Sequence, residues 1–240
     1  AYKPYVSGVT SYVDTNKRAL EALGHEVYVF TFGDLEHPDD DPRVIRSPGM
    51  PLSDTGFYLS LRHSTETQRI IQTMDIIHVH HPHTLADVAV MLRARRTPLV
   101  VTQHADQRAT PQRIASRLTL KRAKAIVVPS RAHIALCTEL DRLESKVVVI
   151  PFGIDETRWA DVPPEPASGP IRALFIGRLV RYKGVDILLR ALERVPDLRL
   201  DIVGTGPEAP RLRTLAQALA VTDRVRWYGE YPDEDIPRRM

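Results

Sequence analysis

The sequence predicts an α/β chain of two mostly parallel-sheet domains in succession, and two observations carry that prediction. Short β-branched runs alternate with longer segments of helical period, the pattern of βα units around a mostly parallel sheet. The alternation stops at DVPPEPASGP over Asp161–Pro170, which has four prolines and no periodicity, and restarts beyond it. The reading is a first domain over residues 1–160, a linker over 161–170 and a second domain over 171–240. The length of 240 residues suits two cores, at about 100 to 200 residues each.

In the first domain Glu26–Phe32, Asp75–His80, Leu99–Gln103, Ala125–Pro129 and Lys146–Pro151 read as strands. Thr10–Leu23 (stopped by Gly24), Tyr58–Thr73, Leu85–Arg96, Gln112–Ala123 and Arg131–Leu143 read as helices. The first helix shows an apolar stripe of Val9, Tyr12, Val13, Leu20 and Leu23, with Asn16 at its edge. In the second domain Ile171–Gly177, Arg199–Gly204 and Val225–Gly229 read as strands, and Val185, Leu188, Leu189 and Leu192 mark a helix between the first two. Residue 1 opens in a loop feeding a helix, and the second domain holds three strands, so the expectation is a piece of a longer protein.

Composition narrows the function classes. The chain is 43% hydrophobic and 26% charged, as in a globular protein rather than a disordered or fibrous one. No apolar run approaches the roughly 18 residues of a membrane span, and no basic-then-apolar leader opens the sequence. The single cysteine, Cys137, cannot form an internal disulfide or a CxxC metal motif, which suits a reducing, cytoplasmic compartment. The net charge of +3 is uneven: residues 1–90 carry −5 and residues 91–131 carry +9. Arg113, Arg117, Lys121 and Lys124 recur at helical spacing beside Ile114 and Leu118, and Arg93, Arg95 and Arg96 precede them. Such a stripe fits peripheral contact with an anionic membrane surface, a soluble anionic acceptor, or an ordinary solvated helix face. No aromatic interleaving accompanies it, so nucleic acid is not expected.

The stretch with the most chemistry is IGRLVRYKG over Ile176–Gly184, at the end of a strand and the start of a helix. Open α/β sheets bind ligands at that edge, and two cations with a glycine and a helix N-terminus suit a diphosphate. A basic, solvated loop is the competing reading of the same residues. His78, His80, His81 and His83 raise a zinc site, but no cysteine or acidic ligand stands at a zinc spacing, and no metal is expected. Gly204–Ala209 fits G-x-G-x-x-A, with Glu230 about 20 residues on, a pattern shared with dinucleotide sites. That fingerprint normally occupies the first βα unit of its domain, where this chain has Arg178 and Lys183. Trp159 and Trp227 fit packing better than a sugar or base platform.

In order along the chain, the motifs resemble the family 4 retaining glycosyltransferases of the GT-B fold. PYVSGV over Pro4–Val9 is similar to their first glycine loop, and DIIHVH over Asp75–His80 to their D-I-I-H-x-H strand. VTQHAD over Val101–Asp106 resembles their acceptor-side histidine segment. PFGID over Pro151–Asp155 resembles P-N-G-V-D with Phe152 in place of the usual asparagine. Gly177-Arg178 through Lys183-Gly184, then IVGTGP over Ile202–Pro207, complete the series. The resemblance implies two facing Rossmann-like domains and metal-independent transfer of a sugar, with retention, from a UDP- or GDP-sugar to an acceptor hydroxyl, with no further cofactor. It implies that Arg178, Lys183 and Gly8 bind the donor diphosphate and that Gly204, Gly206 and Tyr231 lie near the nucleotide. His104 then stands at the transferred sugar, with His80 and Asp106 on the acceptor side. His80-His81-Pro82 resembles a loop of transferases with lipid acceptors, which would place Arg113, Arg117 and Lys121 at the inner membrane face. The family's E-x7-E segment would fall beyond residue 240. A UDP-sugar 2-epimerase on the same scaffold and a non-catalytic sugar-nucleotide-binding module are the alternatives.

Overall fold

The computed structural model describes residues 2–3, 7–33, 41–51, 58–59, 64–82, 94, 96–106, 110–154, 156 and 169–230. The chain divides into two compact units, residues 1–154 and 155–240.

The first unit begins with helix α1 (Gly8–Ala22), which Ser7 caps by accepting from the Thr10 amide at 3.1 Å. Gly24, at φ +88°, ends it in a Schellman arrangement: its amide bonds Glu21 O, and His25 N bonds Leu20 O. The expected apolar stripe of α1 is only partly buried. Leu20 and Leu23 are exposed, while Tyr12, Asp14 and Lys17 are buried. Ion pairs account for the exchange. Lys17 Nζ lies 2.8 Å from Glu21 and 2.6 Å from Asp41, and Asp14 meets Lys3, Arg18 and the Tyr2 hydroxyl. The Lys17 ammonium holds the Asp41 carboxyl down to about 2, helped by the Arg43 amide.

Strands β1 (Val29–Phe32) and β2 (Val44–Ser47) pair in parallel, and β3 (Met50–Pro51) pairs antiparallel with β4 (Tyr58–Leu59). Helix α2 covers only Thr65–Ile71, because Ser64 caps it and its own amide is held by Ser47 Oγ. The expected helix over Tyr58–Thr73 is thus a short strand followed by a shorter helix. The expected helix over Leu85–Arg96 lies mostly outside the described residues.

The main sheet runs β5 (Ile77–His81), β6 (Leu99–Gln103), β7 (Ala125–Val128) and β8 (Val147–Val149), all parallel. Helix α3 (Thr110–Arg122) begins at the threonine-proline pair, where proline's missing N–H is not needed. Its Leu120 joins Leu99, Val101, Ile126, Val128, Leu140 and Leu143 in the core. Helix α4 (Arg131–Leu136) stops at Leu136 rather than at the expected Leu143. There Cys137 and Thr138 turn aside to donate to the Asp106 carboxylate, and a 3₁₀ turn over Thr138–Leu140 follows.

In the second unit β9 (Arg172–Ile176), β10 (Arg199–Val203) and β11 (Val225–Gly229) form a parallel sheet with β10 central. Helices α5 (Val185–Glu193) and α6 (Ala209–Ala218) bury Leu189, Leu192, Leu212 and Ala216 with Leu200 and Ile202. The loops that follow β9 and β10 run side by side. Gly177 N donates to Val203 O, Leu179 N to Thr205 O, and Glu208 N to Leu179 O. That approach requires glycine: a Cβ on Gly204 would stand 2.0 Å from Gly177 O, and one on Gly206 2.4 Å from Leu179 O. At φ +129°, Gly204→Ala also meets backbone strain. The variant should lose about 2 kcal/mol or more of stability, read as a lower urea midpoint for the second unit, and an unchanged midpoint would contradict this packing.

Candidate active site

The histidines of the first unit collect where β5 and β6 end. The parallel register sets His78 beside Val100, His80 beside Thr102 and His81 beside Gln103. Alternation along β5 puts His78 and His80 on one face, rings 4.4 Å apart, and His81 on the other. His78 Nε2 lies 2.7 Å from Thr102 Oγ1. His80 Nδ1 lies 3.2 Å from Nε2 of His104, the residue just past β6, whose amide bonds His81 O at 2.9 Å.

Two aromatic rings close around this pair. Tyr12 of α1 sets its ring edge-on to His80 at 5.7 Å and to His104 at 5.4 Å. Phe152 packs on Tyr12 at 4.5 Å and on His104 at 5.0 Å, though it remains partly exposed. Burial pushes His104 from 6.5 down to about 4, with His78, His133 and His81 adding to the shift. His104 is therefore neutral at physiological pH, able to donate at one nitrogen and accept at the other.

On the other face a buried polar chain anchors the same turn. His81 Nδ1 lies 3.1 Å from both Gln103 Oε1 and Ser116 Oγ. Gln103, fully buried, donates from Nε2 to Ala105 O and to Glu139 Oε2. Asp106 accepts from the Cys137 thiol and from the amide and hydroxyl of Thr138. Ligand-type atoms of Asp106, Cys137 and Glu139 lie within 4.8 Å of one another, and this is where the described residues come closest to a metal-capable cluster. Burial, then Asp106, pushes the Cys137 thiol up to about 12, so it holds its proton and donates it to Asp106.

The sequence-predicted residues fall into separate places. His80, His104 and Asp106 come together in the first unit, and Gly8 opens α1, the helix that carries Tyr12. Among the described residues no neighbouring atom lies within 4 Å of a Cβ built on Gly8, and none of them requires a glycine there. Arg178, Lys183, Gly204 and Gly206 gather in the second unit, in the adjacent loops after β9 and β10. Lys183 is exposed and sits over the Tyr182 ring, and Gly184, at φ +69°, caps α5. The two Gly-x-Gly glycines thus have a packing reason as well as a place beside the Arg178 loop. Trp227 packs on the core of its unit under Arg213. Tyr231, Trp159, His83, Arg93 and Arg95 lie outside the described residues. On α3 Arg113 and Lys121 are exposed, while Arg117 is half-buried and reaches Asp141 O. Lys124 lies beyond the end of the helix, in the turn before β7, so the basic stripe on α3 is shorter than the spacing implies.

The glycosyltransferase family 4 profile matches residues 6–158, and the profile of glycosyl transferases group 1 matches residues 158–240. The chain belongs to glycosyltransferase family 4. The family's GT-B fold is seen in a solved neighbour, sucrose-phosphate synthase from Thermosynechococcus elongatus. It aligns at a TM-score of 0.72 with 21% identity, over 98% of this chain and 68% of that one. HepE from Anabaena, solved with UDP-glucose, aligns at 0.58 with 17% identity over 88% and 71%. By sequence the chain is 28% identical to D-rhamnosyltransferase WbpZ of Pseudomonas aeruginosa, over 98% of this chain and 66% of that protein. It is 29% identical to phosphatidyl-myo-inositol mannosyltransferase of Mycolicibacterium smegmatis, over 94% and 62%. The chain thus spans about two thirds of the length of these curated relatives.

The neutral His104 has a consequence for stability. Between pH 6.5 and about 4 the unfolded chain binds a proton at this position that the folded chain does not, so folding stability falls as pH falls through that window. His104→Gln should show a smaller loss of urea midpoint between pH 7 and pH 5 than the parent. Equal losses would contradict a buried, neutral imidazole.

Proposed function

We propose that the protein transfers a sugar, with retention, from a UDP- or GDP-linked donor to an acceptor hydroxyl, without a metal ion. The observation that carries this reading is the neutral His104 held at the end of β6 by His80, Tyr12 and Phe152 in a family 4 chain. The supporting observation is the Arg178–Lys183 loop at the carboxyl edge of the second sheet. The curated relatives named above are a rhamnosyl- and a mannosyltransferase, and HepE was solved with UDP-glucose.

In the reaction the bond from the anomeric carbon to the diphosphate oxygen breaks, and the acceptor oxygen bonds to the same face of that carbon. The acceptor's proton passes to the departing phosphate oxygen. Charge builds on the diphosphate as it leaves, and fixed cations stabilise it there more than in the ground state. Arg178 and Lys183, in the loop before α5, take that role. His104 orients the acceptor hydroxyl, with Asp106 holding the turn. The nucleotide base passes the loop of Gly204 and Gly206.

On the acceptor side we propose contact with an anionic membrane surface, with a soluble anionic acceptor as the alternative. Arg113, Arg117 and Lys121 on α3 stand with exposed Ile114 and Leu118. Each cation near an anionic leaflet contributes about 1 kcal/mol, so the set gives reversible attachment. The relatives whose names carry a lipid, a monoglucosyldiacylglycerol synthase of Acholeplasma laidlawii (24% identical) and the phosphatidyl-inositol enzyme above, accord with it. No helix among the described residues is long and apolar enough to cross a membrane.

Arg178→Ala in the complete protein should lower kcat by about 10²-fold or more, the scale of losing a preorganised charge stabiliser. Turnover within a few-fold of the parent would contradict the assignment. Co-sedimentation with phosphatidylglycerol vesicles should be strong at low salt and weak at high salt. It should also weaken when Arg113, Arg117 and Lys121 become Glu. Binding indifferent to those changes would leave a soluble acceptor.

A further inference from the structure

His80 and His104 each carry two ring nitrogens, and the 3.2 Å between His80 Nδ1 and His104 Nε2 accommodates one hydrogen. His104 is neutral, so it either donates that hydrogen from Nε2 or accepts one from His80 Nδ1. The two arrangements differ in energy. A neutral histidine side chain favours hydrogen on Nε2. If His104 Nε2–H donates to His80 Nδ1, His104 holds that favoured form; in the reverse arrangement it holds the other.

The surroundings keep the bond in place. Each ring is tied to a paired strand end, His80 within β5 and His104 through its amide to His81 O. Tyr12 covers both rings from one side, and Phe152 covers His104. His104 Nδ1 has no hydrogen-bond partner among the described residues and is not one of the enclosed unsatisfied atoms. It is the nitrogen left for a ligand.

We propose that His80 is a positioning residue that fixes His104 as the Nε2–H tautomer and so leaves Nδ1 as the lone pair that receives the acceptor hydroxyl. The inference rests on the sugar-transfer reading above and extends it to the atom that meets the acceptor. The hydroxyl donates its hydrogen bond to Nδ1, which orients the oxygen lone pair toward the anomeric carbon. As the new bond forms, the hydroxyl's proton passes to Nδ1 and from there to the departing phosphate oxygen, so the imidazole ends unchanged. An acceptor's O–H is thereby selected over a group that can only accept.

The test is the tautomer itself, read from long-range ¹H–¹⁵N correlations in the ¹⁵N-labelled complete protein, with His104→Gln assigning the signals. The parent should show His104 hydrogenated on Nε2. His80→Phe keeps a ring but removes the acceptor, so His104 should become a mixture of tautomers. Turnover should then fall about 10- to 100-fold, the scale of losing an orienting partner, with donor KM within about twofold. His80→Asn returns an amide oxygen near the Nδ1 position and should restore the Nε2–H form and part of the lost turnover. A parent His104 hydrogenated on Nδ1, an unchanged tautomer in folded His80→Phe, or no difference between the Phe and Asn variants would overturn the proposal. If the tautomers behave as stated while no UDP- or GDP-sugar supports transfer, the positioning role stands and the sugar-transfer reading falls.

Discussion

The register of β5 against β6 is the constraint on which the rest of the site depends. Two parallel strands matched residue for residue put His80 beside Thr102 and His81 beside Gln103. Pleating then sends the even-numbered histidines to one face and His81 to the other. One face supplies the imidazole pair; the other supplies a buried polar chain through Ser116, Gln103 and Glu139. The His104–Asp106 turn is gripped from both sides. A slip of one residue would exchange the two sets, sending His81 into the aromatic enclosure and His80 among groups shaped for a different partner. The site is therefore as rigid as the sheet that ends in it, a condition for catalysis by orientation and fixed charge.

The second unit solves a different problem with the same sheet edge. A loop proposed to meet a phosphate must bring backbone and cations close while staying in one conformation. Here the Arg178 loop is braced by the loop after β10, through backbone hydrogen bonds at Leu179 and Glu208. Gly204 and Gly206 allow the two chains to touch. The resemblance to a dinucleotide motif therefore has a physical origin without the dinucleotide, since both arrangements need backbone approach at the end of a parallel strand.

Much of the fold was legible where the signal is local. Leu99–Gln103 coincides with β6, and α3 begins at Thr110, beside Pro111 and two residues before the expected Gln112. Strand β2 was not read, because VIRS is four residues with a charge inside it and no alternation to count. Tyr58–Thr73 looked helical by spacing, yet Ser47 holds the Ser64 amide from 17 residues away and starts the helix late. Helix α4 ends at Leu136 because Asp106, on another strand end, draws in Cys137 and Thr138. The misjudged face of α1 has the same cause: Lys17 is buried against Asp41, a pairing no helical wheel contains. In the site, the identities of His80, His104 and Asp106 were visible in motif order. The enclosure by Tyr12 and Phe152, and the anchoring by Gln103 and Glu139, were not, since each depends on a contact between distant segments.

The central claim is that fixed side chains and backbone dipoles, rather than a metal or a covalent enzyme intermediate, direct same-face attack on a nucleotide sugar. The most direct measurement is the anomeric configuration of the first product formed by the complete protein. It is read by proton NMR in the presence of EDTA, with α-linked UDP- and GDP-hexoses offered to glycolipid and soluble acceptors. The account predicts an α-glycoside at the earliest times with turnover undiminished by the chelator. A β-glycoside, or transfer that stops with EDTA and returns with a divalent cation, would contradict it.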